Sequence, residues 1–412
     1  MLDRLLDKLS DDGSAELVYL VLGSVLLFAF QRLRAAFRQM RHRRFIKCEL
    51  EAYKERKRAI NVIDLANGDP EFSKNNIFLR EVSIFGMGKC LYIDMRADHK
   101  TQLHAREKDI GYTDQQLTQF HADKSFDGTA SFADLAEITK IPDLSALIER
   151  HRAIVGEQFL RSAEGMIFNG SKYGIYNLRF TRFGESESPA AEIDLFQTDY
   201  FTHRVFRSIY RELKEAGHPI AQAGGDNFLQ YKPFLTSFGV NTVLICEGER
   251  GKEIVLSRRS GRVHGKPLFH ITMNEGLSQT DKDAYGKVDL ELCFKRGLLE
   301  ELGLHERLYR LAVRGSFYDF FLEKNNFEIG VSSVLEMELN FGKDIEPLVG
   351  RDKALEADAF LTLPLAQAPI RQFVKSNINN FVPHGLYVLE RVLLRENIAI
   401  EEGGAGQTRP AP

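Results

Sequence analysis

Apolar spacing changes several times along the chain, and each change predicts an element. Leu17–Gln31 is an uncharged run, LVYLVLGSVLLFAFQ, followed by residues 45–60, where Ile46, Leu50, Tyr53 and Lys57 recur at helical spacing and predict a charged amphipathic stalk. The turn-rich NGDPEFSKNN (residues 67–76) breaks that helix. Ile77–Phe85 and Cys90–Met95 read as strands joined by GMGK in a hairpin-like connection. Residues 130–164 predict two helices parted by Pro142 and Asp143, before strands at Ile175–Phe183 and Glu192–Phe196 and a helix around Thr202–Ala216. Strands follow at Val240–Cys246, Glu253–Arg258 and Pro267–Met273. An amphipathic helix within VDLELCFKRGLLEELGLHERL then stops at Gly303, a residue suited to a left-handed C-cap. Long strands at Leu308–Phe321 and Glu328–Leu339 and a closing helix at Leu386–Leu394 complete the pattern. The tail from Gly403 lacks apolar anchors and is expected to be disordered. The fold class is α+β, divided as an N-terminal segment and helix (1–34), a basic stalk (35–66), a mixed α+β middle domain (67–235), a C-terminal domain (236–400) and a tail (401–412).

Composition adds little except at the N-terminus. With 43% hydrophobic and 27% charged residues, the chain excludes a disordered, collagenous or multi-span membrane protein as a whole. Cys48, Cys90, Cys246 and Cys293 have no paired spacing, so a zinc ribbon or disulfide framework is not indicated and a reducing compartment fits. Charge is distributed unevenly. Asp3, Asp7, Asp11, Asp12 and Glu16 outnumber Arg4 and Lys8 before the apolar run, whereas residues 31–60 carry eleven Lys and Arg against three Glu. This asymmetry predicts a single transmembrane helix, Leu17 to Phe30 at its core, with the N-terminus outside and the bulk of the chain cytoplasmic. The run is short for a span of about 20 residues, so an interfacial helix is the alternative. Subtracting the two ends leaves an acidic body, which argues against long nucleic acid and leaves room for a small nucleotide.

Two groups of residues carry candidate chemistry. FQTDYFTHR (Phe196–Arg204) lies at a strand-to-helix junction, where Thr198 or Asp199 would cap the helix, or Asp199, Tyr200, His203 and Arg204 would line a ligand or interdomain site. Arg296–Leu304 reads RGLLEELGL and resembles the second half of the Nudix box: Arg296, Leu298, Glu300, Glu301, Gly303 and Leu304 match it. Gly297 stands where the first helix glutamate belongs, Val288 where the upstream glutamate belongs, and Lys282 where the opening glycine belongs. FHITMNEGL (Phe269–Leu277) resembles a variant of the preceding strand and glycine loop.

The resemblance implies a C-terminal Nudix-like α/β/α sandwich with a mixed sheet. Pyrophosphate cleavage in that family uses Mg²⁺ held by carboxylates. Here Glu300 and Glu301 would be the metal and catalytic residues, with Glu275, Asp289 or Glu291 as a third oxygen, or would only solvate a helix face while Arg296 pairs with one of them. Arg258, Arg259, Arg262, His264 and Lys266 would bind phosphate, joined by Glu275 and Arg296. Phe317 and Tyr318 would stack a base, or belong to the core. Anchor, middle domain and incomplete box together resemble the membrane-anchored Nudix-type effectors of bacterial cyclic-oligonucleotide (CBASS) antiphage systems. That resemblance implies an inner-membrane homo-oligomer whose partners are the lipid bilayer and a nucleotide second messenger; the alternative is a tethered Mg²⁺-dependent pyrophosphohydrolase.

Overall fold

The computed structural model describes residues 26–34, 36–37, 40, 62–65, 82–83, 92–102, 136–137, 139–161, 169–183, 188–225, 227–260 and 267–398. They belong to two units, Met1–Glu55 and Arg56–Pro412. In the first, residues 26–34 are helical. Leu26, Leu27, Phe28, Phe30 and Leu33 are exposed there, and the Arg32 guanidinium lies 5.2 Å over the Phe28 ring. Among the described residues no helix is long and apolar enough to cross a membrane. Leu17 and residues 18–25 of the expected span lie outside the described residues, as do the stalk helix at 45–60 and the tail from 403.

The second unit contains two sheets. The smaller orders its strands β3-β5-β4: β3 (Tyr92–Gln102) runs parallel to β5 (Ser188–Asp199), which is antiparallel to β4 (Ser171–Phe183). Two helices pack together beside it, α1 (Leu144–Arg161) and α2 (Tyr200–Glu215). Asp199 caps α2 by accepting the Thr202 N–H at 2.8 Å, which satisfies one of the donors a helix start leaves open. One face of α2 buries Phe201, Val205, Phe206, Ile209 and Tyr210, a spacing of three and four that needs a partner surface.

The larger sheet has nine strands among the described residues. Its main order is β1-β10-β11-β6-β7-β12, where β1 is Val62–Asp64, β6 Phe238–Gly248, β7 Gly251–Arg259, β10 Ala312–Glu323, β11 Glu328–Met337 and β12 Ala357–Pro364. Three short strands attach at the side: β2 (Val82–Ser83) on β10, β8 (Phe269–Ile271) on β7 and β9 (Met273–Gly276) on β6. The β6–β11 pair is parallel and the others are antiparallel, so the sheet is mixed. Phe238–Cys246 is buried without a break, the signature of a strand covered on both faces. Helices α3 (Leu290–Leu302) and α5 (Pro383–Arg395) both pack against β6; α4 (Gln367–Asn377) follows β12.

Several expectations change. Val82–Ser83 and Tyr92–Gln102 are strands, but they belong to different sheets and do not form a hairpin. Val62–Asp64, expected in the stalk, pairs with Leu322 and its neighbours as an edge of the larger sheet. Pro267–Met273 divides at Thr272 into β8 and β9, and Thr272 bridges strands by donating to Val255 O and accepting from Leu244 N. β12 and α4 were not anticipated.

Candidate active site

Helix α3 is the centre of the site, and its ends explain its length. Asp289 accepts the Glu291 N–H at 2.8 Å, and Gly303 closes the helix in the left-handed region at φ 75. The Gly303 N–H donates to Leu299 O, the bond of an αL cap, and the Leu304 N–H reaches back to Leu298 O. A Cβ at Gly303 would also meet Val349 O at 2.8 Å, so conformation and space both select glycine.

Gly297 has a different reason. A Cβ there would sit 2.7 Å from Met273 Sδ and 2.8 Å from Glu275 Cβ, so α3 lies against β9 with no room for a side chain. The carboxylate missing from position 297 is met by one arriving from the strand: Glu275 accepts from Arg296 Nη1 at 2.8 Å and from the Gly276 N–H at 3.0 Å. Arg296 also donates from Nε and Nη2 to Asp281 Oδ1 and Oδ2 at 2.8 and 2.9 Å, a bidentate pair, to Gly276 O at 2.7 Å and to Glu300 at 3.4 Å. Asp281 therefore orients the arginine, although nothing in the box pattern marked it.

Glu301 points inward and is only 8% exposed. It accepts the Asn274 N–H at 3.2 and 3.4 Å. Burial, then the charges of Glu275 and Glu356, push its carboxyl well above the usual carboxylate range. Burial also raises Glu275, against the pull of Arg296. Glu356 is held by Arg259 at 3.0 Å, and Glu300 by Arg351 at 2.7 Å.

Around these groups lies a cleft of about 910 Å³ lined by Asn274, Glu275, Gly276, Arg296, Glu300, Glu301, Arg351, Asp352 and Glu356. Gly170, Ser171, Lys172 and Tyr200 reach it from the smaller sheet and α2. The two parts are stitched together: Gln279 Nε2 donates to Lys172 O and Thr198 O at 3.0 and 2.9 Å, and Tyr173 N donates to Leu277 O at 3.3 Å. The cleft is thus built from both halves of the unit.

The carboxylates do not form a metal cradle. Among the described residues no group of three or more His, Cys, Asp or Glu is placed to hold a metal ion. The reason is local: Glu275 and Glu300 are drawn to arginines, and Glu301 to a backbone N–H. The expected Mg²⁺ site does not fit the arrangement present.

The other expected residues have varied positions. Asp289 is a helix cap and Glu291 pairs with Lys295 at 2.7 Å, so neither supplies the third oxygen. Arg258 is exposed on β7 and outside the cleft lining. Arg262, His264 and Lys266 lie outside the described residues. Phe317 and Tyr318 are 4% and 1% exposed; Phe317 meets Phe294 edge-on at 6.0 Å, and Tyr318 lies under the Arg395 guanidinium at 3.9 Å. Both belong to the core and are not a stacking platform. Of the Asp199–Arg204 group, Asp199 caps the helix, Tyr200 faces the cleft, His203 is buried beside Glu328 at 3.4 Å, and Arg204 bonds Gln158. Cys246 and Cys293 are buried and free; burial pushes the Cys246 thiol up to about 12 and that of Cys293 well above its ordinary value, so neither is a nucleophile.

No family model matches the chain, and no curated protein matches it. Among solved structures, it is similar to the Nudix domain of Shewanella oneidensis NrtR complexed with ADP ribose, at 12% identity over 39% of this chain and 87% of that one, with a TM-score of 0.26. It is also similar to a bifunctional NMN adenylyltransferase/ADP ribose pyrophosphatase from Francisella tularensis, at 16% identity over 48% of each chain and a TM-score of 0.29. A structure of the Francisella protein complexed with AMP and Mn ion aligns at 15% identity over 50% of this chain and 64% of that one, with a TM-score of 0.26.

Proposed function

We propose that residues 236–400 form a Nudix-like domain that binds a nucleotide without cutting it, and that the chain is a receptor. One observation carries the reading: position 297 has no room for a side chain, and the remaining carboxylates are engaged by protein donors. A cleft of about 910 Å³ is ample for a nucleotide, since ligand pockets run from roughly 300 to 1,000 Å³. Arg296, Arg351 and Lys172 are the cations that line it.

The fuller reading adds the N-terminal run. In it, the chain is tethered by residues 17–31 in a bacterial inner membrane with its bulk in the cytoplasm, and serves as a CBASS-like effector. A cyclic nucleotide messenger would act through differential affinity for an assembled state, in which several tethers cluster and disturb the bilayer. The sequence pattern of an acidic flank, an apolar run and a basic flank supports the tether. Extraction by carbonate without detergent would overturn it.

The competing reading is a Mg²⁺-dependent pyrophosphohydrolase, favoured by Glu275, Glu300, Glu301 and Glu356 sharing one cleft. Calorimetry with cyclic di- and trinucleotides and ADP-ribose, run beside a phosphate-release assay, separates the two. The receptor reading expects binding in EDTA and no turnover. Turnover that depends on Mg²⁺ and is lost in Glu301→Ala would replace it with the enzyme.

A further inference from the structure

The Nudix-like half of the cleft is poorly suited, by charge, to an anion. Its lining carries Glu275, Glu300, Glu301, Asp352 and Glu356 against Arg296 and Arg351, and both arginines are already paired with acids. The missing positive charge comes from the other half. Lys172, on β4, lines the same cleft, makes no ion pair among the described residues, and holds its ammonium 5.9 Å from the centre of the Tyr200 ring.

Gly276 is what lets it reach. A Cβ at position 276 would fall 2.6 Å from Lys172 Nζ, the tip of a flexible side chain, and apart from the adjoining residues nothing but Lys172 Cε lies within 4 Å. The glycine therefore acts as a port through which a lysine of the middle region enters the box domain's cleft. Tyr200 sits at the first position of α2 and is fixed there, its N–H donating to Gly170 O at 2.9 Å and its hydroxyl accepting from Arg204 at 3.3 Å. The ring supports the ammonium by cation–π attraction.

We infer that Lys172 is a ligand-binding residue of a composite site, contacting a phosphate group of the bound nucleotide, and that Tyr200 and Gly276 are positioning residues that hold and admit it. This rests on the reading that the cleft binds a phosphorylated ligand. Its consequence is that the box domain is half a receptor: the middle region supplies the cation that the anion needs, so occupancy is felt on β4 and α2 as well as on α3.

The test uses the full chain in detergent and calorimetry with a panel of cyclic di- and trinucleotides and ADP-ribose, the tightest binder then serving as the probe. Lys172→Met is expected to weaken the probe roughly tenfold to a hundredfold, the value of one charge-assisted hydrogen bond. Gly276→Ala, which displaces only the lysine tip, is expected to weaken it comparably while melting within a few degrees of the unmodified chain. Tyr200→Leu is expected to cost less, and Tyr200→Phe, which keeps the ring, to restore most of the loss. If the unmodified chain binds the probe and both Lys172→Met and Gly276→Ala bind it equally well, the composite site is overturned while the cleft reading stands. If the unmodified chain binds nothing in the panel, the cleft reading falls, and this inference with it.

Discussion

Two arginine–carboxylate clusters beside the larger sheet invert one another. At α5, one acid holds two arginines: Asp319 is met by Arg391 Nε at 3.2 Å and Arg395 Nη1 at 3.1 Å, with side-chain exposures of 0%, 1% and 4%. Tyr318 and Tyr387 lie beneath the two guanidiniums. At α3, one arginine holds three acids, Glu275, Asp281 and Glu300, and opens onto a cleft of about 910 Å³. The closed cluster is paired and walled by aromatic rings, so it joins α5 to β10. The open one has more carboxylate than Arg296 alone can balance, and burial, together with neighbouring carboxylates, raises Glu301 and Glu275 above their ordinary values. Similar pairing chemistry thus closes off a buried joint where charge is enclosed and lines an open cleft where it is left unbalanced before solvent.

The largest test of this contrast is Asp319→Ala, which removes the acid that two buried arginines share and should cost about 3–5 kcal/mol of stability in urea unfolding. A loss under about 1 kcal/mol would mean that the closed cluster does not join α5 to the sheet. Next is Gly297→Glu, which restores the box residue. Crowding against Met273 and Glu275 should cost about 1–3 kcal/mol, and no Mg²⁺-dependent turnover should appear; a stable variant that hydrolyses nucleotides would break the argument from packing.

Protonation gives a smaller effect with a definite sign. Glu301 is raised above the ordinary glutamate value of about 4.3, so as pH rises the unfolded chain loses this proton first. Stability present below about pH 4 is therefore lost as pH climbs through the raised folded-state value. Glu301→Gln removes that loss: it should match the unmodified chain at pH 4 and exceed it at pH 8. A variant less stable at pH 8 would show that the charged form is the favoured one. Smallest is Arg351→Ala. Its side chain is 70% exposed, so losing its pair with Glu300 should change stability by about 0.2–1 kcal/mol at most; a larger loss would make the pair part of the scaffold.

The sequence made the box helix legible because three signals coincided there: apolar spacing, the RGLLEELGL pattern and a glycine at the left-handed cap. Most strands of the larger sheet were readable for a related reason, since strands covered on both faces are nearly unbroken apolar runs, as in Val240–Cys246. β12 and α4 escaped because ADAFLTLP is only half-buried at an edge and α4 buries just Ile370 and Val374, leaving weak periodicity. The pattern also identified Gly297 as a lost ligand without its cause. That cause lies in a contact with Glu275, twenty-two positions earlier, and spacing along one helix cannot reveal a strand pressed against it. Asp281 and Lys172 were missed similarly: an acid and a lysine in ordinary polar stretches acquire meaning only when the loop after β9 and the edge of β4 meet around the cleft. Tyr200 was within reach, since its crowded junction drew attention, but capping by Asp199 accounted for the same residues.

On the proposed reading, the cleft holds a nucleotide without metal and leaves it intact. Titration of the full chain with the cyclic-nucleotide and ADP-ribose panel in EDTA, followed by chromatography of the recovered ligand after Mg²⁺ is added, tests it most directly. Saturable binding in EDTA is expected, with ligand recovered uncleaved after long incubation with Mg²⁺. Binding that appears only with Mg²⁺, or ligand recovered as its hydrolysis products, would contradict it.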